Sequence, residues 1–203
     1  VPAETLTAKG RQTREALESA ARKLFAERGF HGTTLADITS AAGKSAAVFY
    51  RYFDDKEDLL AGLAESFLHD IVAPSGLSVD LPGSADDGEF FTSVVTGYWN
   101  LFKQNIGIMI AVAQLAATQP RFAQVQNEFR RFGMDMVAAS IHRAQDQGFA
   151  TDLNVEHTAA AIALLFENFT VVLVGTPSAG LRISDADAIA TLSTIWKKTL
   201  YGR

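Results

Sequence analysis

Residues Thr34 to Phe53 constrain this chain more than any other stretch. They read Thr-Leu-Ala-Asp-Ile-Thr-Ser-Ala-Ala-Gly-Lys-Ser-Ala-Ala-Val-Phe-Tyr-Arg-Tyr-Phe. A short helix must stop at Gly43, where glycine takes a positive φ without steric cost, and a second must start at Ser45. Ile38, Ala42, Phe49 and Phe53 face inward and fix the crossing of the two. Ahead of them, Ala16, Leu17, Ala20, Ala21, Leu24 and Phe25 form one face of a helix that ends at Gly29.

The rest of the punctuation agrees with an all-α chain. Thr34–Asp37, Asp55–Asp58, Ser84–Asp87 and Ser184–Asp187 each place a capping oxygen three residues before a carboxylate. Pro120 suits a first helical position. No stretch alternates apolar and polar residues long enough for a half-buried strand, although Phe169–Val174 is β-branched and ambiguous by itself. The spacing predicts about nine helices, over 12–29, 34–41, 45–52, 55–72, 86–104, 106–117, 120–147, 155–174 and 185–201. The Gly- and Pro-rich segment 73–88 is expected to be a loop. Two domains follow: 1–54, and 55–203 with 55–72 as a connecting helix.

Composition excludes several classes. The chain has no cysteine, which removes disulfides and thiol chemistry, and no two of His31, His69, His142 and His157 have metal-ligand spacing. No metal and no cofactor is expected. The first fifteen residues carry Glu4, Lys9, Arg11, Arg14 and Glu15, unlike a signal peptide. The longest uncharged run, Gln104 to Pro120, is too short and too polar for a bilayer span. The expectation is a soluble cytoplasmic protein with no membrane partner. HExxH, nucleophile-elbow and phosphate-loop motifs are absent, so catalysis is not expected.

Phe25-Ala-Glu-Arg-Gly-Phe30, Thr33-Thr34, Asp37-Ile38, Ala42-Gly43, Phe49-Tyr50-Arg51-Tyr52-Phe53 and Lys56-Glu-Asp-Leu-Leu60 together resemble the tetracycline-repressor (TetR) family of bacterial regulators. The resemblance covers about residues 13–60. It implies a helix-turn-helix whose second helix, 45–52, enters the DNA major groove with its first turn toward base edges. Ser45, Ala46, Ala47, Val48, Tyr50 and Arg51 are then the outward candidates, the methyl groups of Ala46, Ala47 and Val48 suiting thymine C5-methyls. Tyr52 and Thr34 are phosphate candidates, Tyr52 having a half-buried place against the fourth helix as its alternative. Lys56 matches a frequent phosphate contact, and Lys56→Ala is expected to flatten the salt dependence by about one contact. Two positions depart from the family pattern: Thr39 replaces a small alanine, and Lys44 replaces an apolar residue. Lys44 either turns to a phosphate or is solvated.

Beyond the motif, aromatic residues accumulate. Phe122, Val125, Phe129, Phe132, Met136 and Ala139 recur at heptad-like steps. With Tyr98, Trp99, Phe102, Met109, Phe166 and Phe169 they make either an ordinary core or the wall of a cavity for a lipophilic small molecule, which the resemblance favours. Asn168, Gln114, Tyr98 and Glu167 are the polar candidates to orient it. Helix 155–174 is apolar on nearly all sides and needs cover on more than one. By resemblance, helices 155–174 and 185–201 form a homodimer interface that includes Trp196, and the dimer reads a palindromic operator. The expected function is a DNA-binding repressor released by a lipophilic effector. The alternatives are a regulator with no small-molecule effector and a helical enzyme.

Net charge supports the division. The chain carries -5 in all. Up to Phe53 there are eight Lys/Arg and five Asp/Glu, so a modestly basic head precedes an acidic body.

Overall fold

Side-chain oxygens mark where most helices begin in the computed structural model, which describes residues 7–72, 87–175 and 180–202. Thr7 caps α1 (Ala8–Arg28) by accepting from the Gly10 amide at 3.2 Å. The helix thus starts ahead of the expected residue 12, because Lys9 and Gly10 lack apolar periodicity and only the cap signals them. Thr34 and Asp37 close a full capping box on α2 (Leu35–Ala41), and Ser45 caps α3 (Ala46–Phe49). Asp55 accepts from the Asp58 amide at 2.7 Å at the start of α4 (Lys56–Val72). Then follow α5 (Gly88–Ala116), α6 (Pro120–Asp146) and α7 (Val155–Thr170), the last capped by Asn154 and continued by a π-helical turn, Val171–Gly175. Ser184 caps α8 (Asp185–Tyr201). The expected loop 73–88, apart from Asp87 and Gly88, and the Ser84 cap lie outside the described residues.

Two further boundaries differ from expectation. The second helix of the motif ends at Phe49 instead of residue 52, with Tyr50 as its C-cap. The predicted helices 86–104 and 106–117 are one helix, α5. The expected break at Asn105 is absent, and both Asn105 and nearby Gly107 serve the packing of α5 on α1. The Asn105 side-chain oxygen accepts from Arg22 at 2.7 Å. A Cβ at Gly107 would lie 2.5 Å from the Ala26 nitrogen and 2.7 Å from the Phe25 carbonyl carbon, so glycine there lets α5 meet the α1 backbone.

The chain forms two compact units, residues 1–70 with 105–126, and 71–104 with 127–203. In the first, Leu17, Ala21, Ile38, Phe49, Leu59, Leu60, Leu63 and Ile108 are essentially sealed from solvent. Thr39, the departure from family pattern, is buried there with its hydroxyl donating to the Leu35 and Ala36 carbonyls, so the extra oxygen is satisfied within α2.

The second unit is built on Phe91, Trp99, Phe166, Leu192 and Trp196. On α6 the buried stripe begins at Phe122, Val125 and Phe129, as the heptad reading expects, but continues through Val137, Ser140, Ile141 and Ala144 rather than Met136 and Ala139. A helix of 3.6 residues per turn drifts off a 3.5-residue seam, and the drift accumulates over several turns.

Candidate functional site

The turn of the motif is built as the residues require. Gly43 has φ +63°, Ile38 and Phe49 are fully buried, and Phe53 stacks 5.5 Å from Phe49. With these anchors inward, Ser45, Ala46, Ala47, Tyr50 and Arg51 are exposed, Tyr50 by 60%. Val48, Lys44 and Tyr52 are half-buried. The Ser45 hydroxyl oxygen accepts from the Val48 amide at 3.3 Å, which leaves its proton available outward. The arrangement is a small convex surface of methyl groups flanked by a phenol and two cations. Such a surface can pack on thymine methyls and meet phosphates.

Two expected phosphate contacts are differently engaged. Thr34 donates its hydroxyl proton to Asp37 Oδ2 at 2.5 Å and accepts from the Asp37 amide at 3.1 Å. It has no proton left for a phosphate, and the Asp37 carboxylate beside it is held below the usual carboxylate range, first by the Thr34 hydroxyl. The Lys56 ammonium donates to the carbonyls of Phe30 and Thr33, both at 2.7 Å, and lies 4.1 Å from the Phe30 ring centroid. Burial draws its pKa down. Arg14 also turns inward, its guanidinium 5.0 Å from the Phe53 ring centroid and bonded to Glu18 at 2.7 Å. Sequence patterning cannot separate these inward cations from phosphate-binding ones, since both stand at helix ends.

In the second unit, five of the expected ligand residues share one apolar cluster: Tyr98, Trp99, Met136, Phe166 and Phe169. Tyr98 packs 4.3 Å from Phe102 and 5.4 Å from Phe166. Phe129 is buried and Phe132 half-buried on α6, while Met109 is buried in the first unit.

Of the polar candidates, Gln114 and Asn168 are exposed, and Asn168 donates to the Leu164 carbonyl of its own helix. Tyr98 and Glu167 are the enclosed ones. The Tyr98 hydroxyl lies 3.0 Å from that of fully buried Thr170, and burial raises the phenol pKa. Arg130 grips Glu167 with two bonds of 2.8 and 2.9 Å. Neither Thr170 nor Arg130 carries a signal in the sequence, because each matters only through its partner on another helix.

Leu164 and Leu165 on α7 and Val172 in the π-helical turn after it are 36%, 38% and 41% exposed. Leu165 also lines an open groove of about 370 Å³, together with Thr158, Ala161, Ile162, Ile195 and Thr199, among others. Val155–Gly175 is also long and apolar enough to cross a bilayer, and 22% of its most apolar stretch is buried. Glu156 and Glu167 interrupt the segment, so it contains no long uncharged run. Trp196, expected on this face, is instead 2% exposed and donates to Ser140 at 3.1 Å within the core. Among the described residues no three His, Asp or Glu side chains gather as a metal site.

Residues 17–63 match the pattern of bacterial regulatory proteins of the tetR family. The HTH-type transcriptional repressor KstR2 of Rhodococcus jostii is 31% identical over 163 residues, 76% of each chain. Solved structures share the fold. The ketosteroid regulator KstR2 of Mycobacterium tuberculosis superposes with a TM-score of 0.67 at 21% identity, covering 92% of this chain and 94% of that one. FadR of Bacillus subtilis, in complex with stearoyl-CoA, gives 0.68 at 19%, covering 93% and 98%. The buried anchors of the motif, its exposed face and the identity to a repressor across three quarters of the chain agree: this protein belongs to the TetR family of helix-turn-helix transcriptional regulators.

Proposed function

We propose that this chain is a cytoplasmic repressor without catalytic activity, which leaves a palindromic operator when a lipophilic small molecule enters the aromatic core of the second unit. The observation that carries the reading is the exposed face of α3, with Ala46, Ala47, Tyr50 and Arg51 outward over sealed Phe49. Lys44, Ser45, Val48 and Tyr52 complete the DNA surface in this reading. The effector wall is drawn from Tyr98, Trp99, Phe102, Phe166, Phe169 and Met136, with the Tyr98–Thr170 hydroxyl pair as the polar end. The long-chain acyl thioester bound by FadR supports an effector of that general polarity. The effector must bind the DNA-incompetent conformation more tightly, since equal affinity shifts nothing.

A homodimer through 155–174 and 185–201 supplies the second recognition helix, and the exposed leucines of α7 and their groove support that face. Leu165→Glu places a charge there without entering the core. It is expected to yield monomers by light scattering, with the helical signal retained. A dimer of unchanged stability sinks the interface. Gel shifts with DNA upstream of the protein's own coding sequence test the whole, with stearoyl-CoA, a sterol and choline as probes. Release by an apolar probe supports the reading, and a shift that none relieves favours a regulator without a small-molecule effector.

A further inference from the structure

We propose that Lys56 is a positioning residue for DNA recognition: it ties the α1–α2 connection to the first turn of α4, and so sets where α2 and α3 stand, without touching a phosphate. The inference rests on the reading of α3 as the DNA-facing helix. Lys56 is the first residue of α4. A cation there faces the positive end of the helix dipole, an unfavourable place unless acceptors compensate. The acceptors are present. Two carbonyl oxygens at 2.7 Å and the face of the Phe30 ring surround the ammonium. At most one N–H remains for anything outside.

The carbonyls stand at the two ends of the connection Phe30-His31-Gly32-Thr33, which has little slack. Phe30 is 3% exposed and lies 5.4 Å from Phe25. Thr33 is fully buried, with its hydroxyl donating to the Gly29 carbonyl at 2.8 Å. A Cβ at Gly32 would collide with the Arg28 carbonyl oxygen. The next residue, Thr34, is the cap of α2. An unbroken series of short bonds therefore runs from the first residue of α4 to the first turn of α2. Any shift of α4 at Lys56 reaches the motif through a segment that cannot absorb it.

The test compares wild type, Lys56→Met and Lys56→Arg on a labelled duplex from upstream of the protein's own coding sequence, over about 50 to about 300 mM KCl. Methionine keeps much of the stem and removes the charge. The positioning role predicts roughly tenfold weaker binding at every salt concentration, with the slope of log affinity against log salt unchanged. Arginine should recover most of the loss, since its guanidinium can donate to the same carbonyls. In DNA-free protein, amide exchange across α2 should quicken in Lys56→Met and return toward wild type in Lys56→Arg. A slope smaller by about 0.9 identifies a phosphate contact and overturns the proposal. So does unchanged affinity with unchanged exchange.

If Lys56→Met does not fold, Phe30→Leu removes the ring beneath the ammonium. It should weaken binding with the same unchanged slope, and wild-type affinity in that variant counts against the proposal. A wild-type chain that shifts no DNA refutes the regulator reading separately, and the exchange data then decide whether Lys56 orders α2.

Discussion

Several polar side chains in the first unit end on named acceptors: Lys56 on two carbonyls, Arg22 on Asn105 and, at the surface, Arg121 on both Asp58 and Glu65. The second unit is held chiefly by rings. Phe90, Phe91, Phe166 and Trp196 pack edge to face at 5.1 to 6.1 Å. Hydrogen bonds are directional, so the first unit has one arrangement that satisfies them, and this suits a surface that must match a DNA groove. Ring packing is less directional, and aromatic contacts can re-form around an inserted guest. The difference separates a part that must keep its shape from one that can change it.

The ring-packed unit is most vulnerable at the centre of its cluster. Trp196→Ala should cost about 3–5 kcal/mol in urea unfolding, from the cavity and the lost indole bond to Ser140, whose own hydroxyl still donates to Val137. A loss under about 1 kcal/mol would mean that the rings are not what holds the second unit. Next is Gly107→Ala in the first unit. Its methyl meets backbone atoms rather than a flexible side chain, so a cost of about 1–3 kcal/mol is expected, with weaker DNA binding as α1 shifts. Unchanged stability would show that the α1–α5 approach is looser than the distances imply.

On the proposed DNA surface, Arg51→Ala and Lys44→Ala should each reduce the salt slope by about 0.9 if they meet phosphates, leaving stability within about 0.5 kcal/mol. A slope unchanged in both would move the phosphate contacts elsewhere.

The smallest expected effect concerns Asp185, an exposed polar junction within the ring-packed unit. Its carboxylate accepts from Lys103 at 2.7 and 2.9 Å and from the Trp99 indole at 3.0 Å, and Lys103 first, then Trp99, holds its pKa below the usual range. A depressed folded pKa gives stability that is present above the unfolded pKa of about 3.9 and is lost as pH falls through the folded value. Asp185→Asn should therefore be slightly less stable than wild type at neutral pH and match it in acid. A difference that persists at low pH would assign the effect to geometry instead of charge.

Much of the first unit was legible because its signals are local. The Thr34–Asp37 box, the Ser45 cap, the Gly43 turn and inward Phe49 lie within a few residues of one another, and each is read from chemistry that needs no distant partner. Legibility failed where the partner is far along the chain. Asn105 read as a break between two helices because its partner Arg22, far along the chain, was invisible to it. Trp196 read as an interface residue because nothing near it in sequence says that Ser140 and Phe91 cover it. Lys56 read as a phosphate contact because a lysine at a helix start looks the same whether its acceptor is a DNA oxygen or the Phe30 carbonyl.

Periodicity, caps and glycine placement, all properties of neighbouring residues, were enough to determine an all-α chain with a helix-turn-helix near its beginning. Tertiary structure decided the direction of each charge and ring: inward or outward, paired or exposed. That choice depends on the free energy of groups brought together from different helices, and no window of sequence contains both members of the pair.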